Sequence, residues 1–322
     1  RVEDVIHARV ADLPTGARAF LEIAALAGRP TAIGVVRVAA RAAEGVSKIL
    51  TLLRSVHLVL STGSDEDALV ECAHDRIRAT IVDGMDVGRR TGLHLRLAET
   101  MEAFGGQEPG AIFDHFRLGG YPHRGVPYGY EAISRAEEAL AFSRASDLLD
   151  ALLRILDEGA PDRPALALRR ATNLARAGRG EAAARLYLAV ANELDPPSAA
   201  VARRHAAEQY LFSGHIDRGQ RVLDTYMADR GIRVPRTQLR AFADLLVQRG
   251  LVRMRKLQRP RKQEHAFPAS VGERIDEFLN LSLGLALVDP VRASTLQARA
   301  LRLAVAAGDT PRFAKALPTE AG

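Results

Sequence analysis

The chain has 322 residues, of which 47% are hydrophobic but only 5% aromatic, and it contains no Trp. The length suits two ordinary domains, and a core of Ala, Leu and Val suits closely packed helices. The net charge is +6, but 39 acidic residues are interleaved with 45 basic ones, of which only four are Lys. Charge alone therefore does not indicate a nucleic-acid partner.

The cysteine content and the hydropathy limit the cellular compartments that the sequence suits. Cys72 is the single cysteine, which excludes an internal disulfide and a cysteine-cluster metal site. No apolar run approaches the roughly 18 residues that a membrane span needs, and no signal peptide is visible. We expect a cytoplasmic chain with no membrane contact. It begins at Arg1 without Met and stops within a helical pattern, so we expect a segment of a longer protein, truncated at both ends.

Apolar residues at helical spacing predict four helices in the first 55 residues. They cover residues 2–12, 15–27, 31–43 and 44–55. Pro14 separates the first two helices, because proline breaks a helix interior. Gly28 can close the second helix in the left-handed conformation.

Two strands follow, over residues 57–61 and 68–72, and they carry the only convincing β signal in the chain. The polar residues 62–67 between them predict the turn of a hairpin. Helices followed by a β-ribbon are the plan of a winged-helix domain, which we expect to cover residues 1–85.

Many winged helices read DNA with one helix in the major groove. The candidate recognition helix, residues 45–55, carries Lys48 and Arg54 but is otherwise mostly aliphatic. The turn of the hairpin is acidic, and phosphate repels such a tip; its acidic residues are Asp65, Glu66 and Asp67. We therefore favour a packing module within a larger protein over a DNA reader.

A histidine and a carboxylate stand side by side where the next helix, residues 74–84, begins. Such a pair can orient a proton shuttle, but His74 and Asp75 are adjacent and so point to different helix faces. Capping of the helix start, where a carboxylate favours the positive helix end, is the better explanation.

From residue 86 onward the pattern is helix, brief break, helix, which predicts a helical-repeat region over residues 86–322. The glycine-rich residues 119–127 predict a loop. This loop lacks the Gly-Lys-Ser/Thr of a phosphate-binding loop, and that motif occurs nowhere else in the chain.

An internal repeat supports stacked helical hairpins. Three residues recur 36 positions later in the chain, namely Ala171, Leu174 and Gly178 as Ala207, Tyr210 and Gly214. Tetratricopeptide repeats (TPRs) have a period near 34 and the same alternation of small and large residues. The predicted fold is all-α with one β-hairpin, a winged-helix domain followed by a TPR-like α-solenoid; an irregular helical array is the alternative for the second part.

A basic run ends the long predicted helix over residues 238–258. Its members are Arg253, Arg255, Lys256, Arg259, Arg261 and Lys262. Such a run can contact nucleic acid or an acidic protein, but cations also suit a solvated helix C-terminus. Phe267 is the only aromatic residue near it that could stack on a base, which disfavours nucleic acid.

Four stretches resemble one protein family when they are taken in order. Residues 13–22 (LPTGARAFLE) with 25–30 (ALAGRP), residues 73–78 (AHDRIR) and residues 94–98 (HLRLA) resemble the winged-helix region of STAND-type signalling ATPases. Residues 206–219 (AAEQYLFSGHIDRG) are similar to a repeat of one subgroup. That subgroup comprises large bacterial serine/threonine kinases in which a kinase domain is fused to an AAA-type ATPase and TPR-like repeats.

The resemblance implies kinase and ATPase domains upstream of Arg1, with ATP and Mg²⁺ bound there. Their catalytic residues have no counterpart in this sequence, so the resemblance gives no catalytic, cofactor-binding or metal-binding residue here. In STAND proteins the winged helix packs on the ATPase, which implies an interdomain contact for His74 and Arg76. The repeats of the family sense a protein or a small-molecule effector.

The sequence thus predicts a non-catalytic regulatory and scaffold segment of a signal-transduction ATPase and serine/threonine kinase. A transcriptional regulator that contacts DNA through the winged helix or the basic run is the alternative. A self-contained enzyme is the third hypothesis, and it would need an acid/base set assembled from residues that are distant in sequence.

Overall fold

The computed structural model describes residues 2–42, 45–235, 237–254, 268–286 and 288–317. The chain divides into two units, Arg1–Ala160 and Pro161–Gly322. Within the described residues, no helix is long and apolar enough to cross a membrane.

The first half of unit 1 consists of five helices and three short strands. In chain order they are α1 Val2–Ala11, α2 Thr15–Ala27, β1 Thr31–Ala32, α3 Ile33–Ala40, α4 Val46–Ser55, β2 Val59–Ser61, β3 Leu69–Cys72 and α5 Asp75–Asp83. The strands form one antiparallel sheet in the order β1-β3-β2, with Thr31 opposite Val70 and Leu60 opposite Glu71. The two predicted strands of the hairpin are confirmed as β2 and β3.

The third strand was not expected, and it corrects the predicted hairpin of two strands. The predicted helix from residue 31 is wrong at its first two residues, which form β1. A two-residue strand has no periodicity to detect. It forms because β3 has a second edge to pair, and the Ile33 amide extends the contact by donating to the Ala68 carbonyl at 2.8 Å.

The core of unit 1 is built around α2. Gly28 closes α2 at φ 67°, the left-handed conformation expected for it, and Phe20, Leu21 and Ile23 are fully buried. The same cluster includes Leu97 and Phe116 from later helices. The core of unit 1 therefore runs past residue 85, where the sequence predicted a domain boundary.

Four more helices complete unit 1. They are α6 Val87–Phe104, α7 Pro109–Leu118, α8 Pro122–Glu138 and α9 Phe142–Leu153. The predicted loop over residues 119–127 is wrong from Pro122 onward, where α8 begins. Proline at the first helical position costs no hydrogen bond, and the interior Pro127 is accommodated within α8.

The secondary structure described in unit 2 consists of helices joined by turns and loops. Its helices are α10 Arg163–Arg176, α11 Gly180–Ala191, α12 Pro196–Phe212, α13 Ile216–Asp229, α14 Gln238–Met254, α15 Ala269–Leu285, α16 Pro290–Ala307 and α17 Thr310–Ala316. Helices α10 to α13 each pack against the next, α12 also contacts α15, and α14 packs on α16. The helical pairs predicted over residues 165–229 are confirmed.

The 36-residue repeat marks equivalent turns. Gly178 and Gly214 both take positive φ, at 77° and 83°, and in both turns the amide after the glycine donates back to the carbonyl five residues earlier. Leu140 ends α8 with the same bonds at φ 56°. The residue at this position of each turn therefore takes the left-handed conformation. It is glycine in two of the turns and Leu140 in the third.

Replacing Leu140 with Gly is expected to raise the free energy of unfolding of unit 1 by about 0.5–1 kcal/mol. The left-handed conformation costs a leucine about 1–2 kcal/mol, which exceeds the loss from a more flexible unfolded chain. Leu140 is 71% exposed, so few contacts are lost. Urea unfolding followed by circular dichroism measures the change. Leu140→Ala is the control and should show no gain, because alanine keeps the strain.

Candidate functional site

The surface of α4 and the β2–β3 turn would contact DNA if this unit read it. Arg54 of α4 is already engaged, because its Nη2 donates to the carbonyls of Ser61 at 3.1 Å and Gly63 at 3.2 Å. Lys48 is exposed. One of the two cations of α4 thus braces the turn instead of facing outward.

The tip of the β2–β3 turn is acidic in the structure, as the sequence predicted. Asp65, Glu66 and Asp67 are all exposed, and only Glu66 has a cationic partner in the salt bridges described, Arg37 at 2.8 Å. Carboxylates at this tip would meet the phosphates of a duplex docked on α4, which disfavours DNA.

His74 and Arg76, the predicted interdomain contacts, lie on one edge of unit 1. His74 precedes α5 and its side chain makes no capping bond. Arg76 binds Glu3 of α1 through Nη2 at 2.7 Å, and this hydrogen bond lowers the pKa of the Glu3 carboxyl. Asp75 lies 3.3 Å from Arg78, so it pairs with an arginine and not with His74. Of the two predicted contact residues, His74 is exposed and Arg76 is held by Glu3.

A cleft of about 250 Å³ opens between α1, α2, α5 and α6. Its charged groups are occupied by structural roles. Glu22 accepts from Arg89 at 2.6 Å and 3.1 Å, and Arg18 donates to the carbonyls of Val10 and Ala11. The cleft joins helices together and presents no free nucleophile–base pair.

Two buried histidines join α6 to α7. His94 Nδ1 and His115 Nδ1 are 3.0 Å apart, and their rings stack with centroids 5.1 Å apart. Burial, with Arg90 and Arg117 nearby, lowers the pKa of His94 to about 4. Burial, with the neighbouring His94, lowers the pKa of His115 to about 3. Both imidazoles are therefore neutral at physiological pH, and one donates to the other.

Unit 2 contains a polar cluster at the α10–α11–α12 packing. Tyr187 and Thr172 hydroxyls are 2.9 Å apart, and the Tyr187 ring stacks on His205 at 5.5 Å. His205 Nδ1 lies 3.1 Å from Glu208, which also binds Arg204. Burial raises the pKa of Tyr187. The Glu208 carboxylate is held by both Arg204 and His205. The cluster therefore fixes side chains and leaves no activated base.

Glu277 of α15 is buried and ties α15 to the end of α13. Its Oε1 accepts from the Tyr226 hydroxyl and from Arg230 Nε, each at 2.8 Å, and Oε2 accepts from Arg274 at 2.9 Å. Burial alone would raise the pKa of Glu277, but the three hydrogen bonds outweigh it and the pKa is lowered. The carboxylate is ionised and fully engaged.

Of the predicted basic patch, Arg253 is described and is exposed on the last turn of α14. The other members lie outside the described residues; they are Arg255, Lys256, Arg259, Arg261 and Lys262. The predicted patch thus stays a prediction.

Sequence reasoning missed the histidine pair and the Glu277 cluster. The two histidines are 21 positions apart, and the members of the Glu277 cluster are up to 51 positions apart, so no local spacing indicates them.

Cys72 is half-buried, and burial raises the pKa of its thiol to about 12. Within the described ranges, no three His, Cys, Asp or Glu residues are grouped as metal ligands.

Comparison of the chain with protein-family models, with curated proteins and with solved structures finds no match.

Proposed function

We propose that this chain is a non-catalytic regulatory and scaffold segment of a bacterial signal-transduction ATPase with a serine/threonine kinase domain. Its first part is a winged helix that packs on the ATPase. Its helical hairpins form a TPR-like array that binds a protein or a small-molecule effector. ATP and Mg²⁺ belong to the ATPase and kinase domains.

The order of elements supports the winged helix. The chain runs α2, β1, α3, α4 and then the β2–β3 ribbon, and the three strands pair as β1-β3-β2. Repeated turns at Gly178 and Gly214, 36 residues apart, support the array of hairpins. Stacked hairpins of this kind build extended binding surfaces.

The observation that carries the proposal is how the polar groups of the described clusters are used. Glu22, Glu208 and Glu277 each form a salt bridge with an arginine. A general base needs a free carboxylate or imidazole near a reacting group, whereas these carboxylates hold helices together. The arrangement favours a binding segment over an enzyme, and the acidic β2–β3 turn favours protein over DNA as the partner.

We expect the purified chain to hydrolyse no ATP and to phosphorylate no protein substrate. A coupled assay of ADP release and transfer of radiolabelled phosphate to casein would measure both activities. A turnover that survives further purification and is lost on substitution of a residue of this chain would overturn the proposal.

We also expect no binding of a 20-base-pair duplex at about 50 mM salt, measured by fluorescence anisotropy. Asp65→Lys with Asp67→Lys should raise duplex affinity, because it removes the repulsion at the turn and leaves the Arg37–Glu66 pair in place. Tight, salt-dependent binding by the unmodified chain that is weakened by Lys48→Glu would instead establish the DNA-binding alternative.

A further inference from the structure

Among the residues that the structure describes, helix α14 packs on one side, against α16. The residues that face α16 are buried; they are Ala241, Leu245, Gln248 and Val252. Thr295 of α16 donates to the Ala241 carbonyl at 3.3 Å, and Arg299 of α16 binds Asp244 at 2.6 Å. This face is therefore fixed within unit 2.

The opposite side of α14, called here the outer face, is apolar and solvent-exposed. Its large side chains are between 38% and 83% exposed; they are Leu239, Phe242, Leu246, Val247, Leu251 and Met254. Helical spacing places them together on the side away from Ala241 and Leu245. A surface helix normally presents polar residues to water, so the outer face is reversed from the usual pattern. Contiguous apolar patches of this kind mark interaction sites.

The centre of the outer face is shallow. Ala243 and Gly250 lie two turns apart along its middle, between Phe242 and Leu246 on one side and Val247 on the other. Glycine inside a helix costs about 1 kcal/mol relative to alanine, and no atom lies within 4 Å of where a Gly250 Cβ would be. No contact within the described residues explains this cost. A groove between two apolar ridges accepts the ridge of another helix. Binding to a lipid surface would not require such a groove.

The borders of the outer face are basic. Arg240 lies near one border in the first turn and Arg253 near the other in the last turn, and both are exposed. The acidic residue of α14, Asp244, is turned toward Arg299. A second copy of the chain would add only further arginines to these borders, because Asp244 is the one acidic residue of α14 and is engaged by Arg299, and like-charge repulsion disfavours this. A partner bordered by Glu and Asp would find opposite charges on both sides.

We propose that the outer face of α14 is the docking site for an amphipathic helix of a partner protein, with an apolar stripe bordered by acidic residues. The helix would lie over Gly250 with its apolar residues between Phe242 and Val247. This inference names the partner chemistry of the helical region, and it rests on the proposed function for the expectation of a protein partner.

A designed 18-residue helical peptide tests the proposal, with leucines at i, i+3, i+4 and i+7 and glutamates along both borders of the leucine stripe. We expect the whole chain to bind the labelled peptide with a dissociation constant of about 10 μM. Phe242→Ala should weaken binding at least about tenfold, as for a central aromatic anchor. Phe212→Ala is the matched control, because Phe212 of α12 is equally exposed (55% against 51%) but lies off the outer face; it should leave binding unchanged.

A second part of the experiment reverses the charge of the two arginines that border the outer face. Arg240→Glu with Arg253→Glu should abolish binding of the glutamate-bordered peptide and create binding of a lysine-bordered one. The inference is overturned by equal loss in the Phe212 and Phe242 variants, or by no binding of the peptide. It is also overturned by self-association that Phe242→Ala abolishes, or by binding to phosphatidylserine vesicles in preference to the peptide. None of these outcomes bears on whether ATPase and kinase domains are attached, so the proposed function can stand or fail separately.

Discussion

Replacing Glu277 with Ala is expected to destabilise unit 2 by about 3 kcal/mol. The change removes the acceptor for Tyr226, Arg230 and Arg274 at once. Tyr226 is buried, and its hydroxyl would be left without a partner, which costs the desolvation of that group. The two arginines are partly exposed, so water recovers part of their loss, and the effect stays at the low end of the roughly 3–5 kcal/mol expected for breaking a buried ion pair.

Hydrogen exchange measured by mass spectrometry can locate this effect. Amides of α13 and α15 should exchange roughly 100-fold faster in Glu277→Ala, whereas those of α2 in unit 1 should not change. Glu273→Ala is the matched control, since Glu273 lies on the same helix but is exposed. Equal acceleration in both variants would mean that the effect does not come from the hydrogen bonds of Glu277, and the proposed bridge between α13 and α15 would be wrong.

Unit 1 is expected to lose about 3–4 kcal/mol of stability between neutral pH and about pH 5 through His94 and His115. Both side chains are neutral in the folded state because burial holds their pKa near 4 and near 3, against an ordinary 6.5. The unfolded chain binds protons from pH 6.5 downward while the folded chain does not. The stability is therefore complete above pH 6.5 and falls below it, by about 1.4 kcal/mol per pH unit for each imidazole.

The comparison that isolates the pair uses a variant that cannot titrate. The double variant His94→Gln, His115→Gln should flatten the pH dependence of the protection factors of the α6 and α7 amides between pH 7 and pH 5. These are the factors by which folding slows exchange relative to the unfolded chain at the same pH. His123→Gln removes an exposed histidine of α8 and should leave the wild-type slope intact. If the double variant keeps the full slope, other groups cause the acid sensitivity and the buried pair does not.

What could be predicted from the sequence had local causes. Gly28 indicated a left-handed helix end because glycine tolerates that conformation, and it adopts it. Gly178 and Gly214 were noted only as repeated residues, and both also take positive φ. The acidic turn was visible as three consecutive charges. Periodicity gave most helices of unit 2, because each buries one face against a neighbour.

What could not be predicted depends on distant partners. Strand β1 exists only because β3 has a free edge, and the His94–His115 contact depends on how α6 crosses α7. Helix α14 was predicted as a helix, but apolar residues on both of its sides do not tell which side is buried. Only the packing of Ala241 and Leu245 on α16 identifies the other side as the outer face. The predicted interdomain contact of His74 also depends on a distant partner, so it stays a prediction. Arg76 has a partner within unit 1, namely Glu3.

The most direct test of the central claim is to read the gene upstream of the codon for Arg1. We expect an in-frame Gly-x-x-x-x-Gly-Lys-Ser/Thr motif after a strand and before a helix, with the Gly-rich loop and catalytic-loop motif of a protein kinase further upstream. A start codon at or directly before Arg1 would contradict it, because no ATPase would then precede the proposed winged helix.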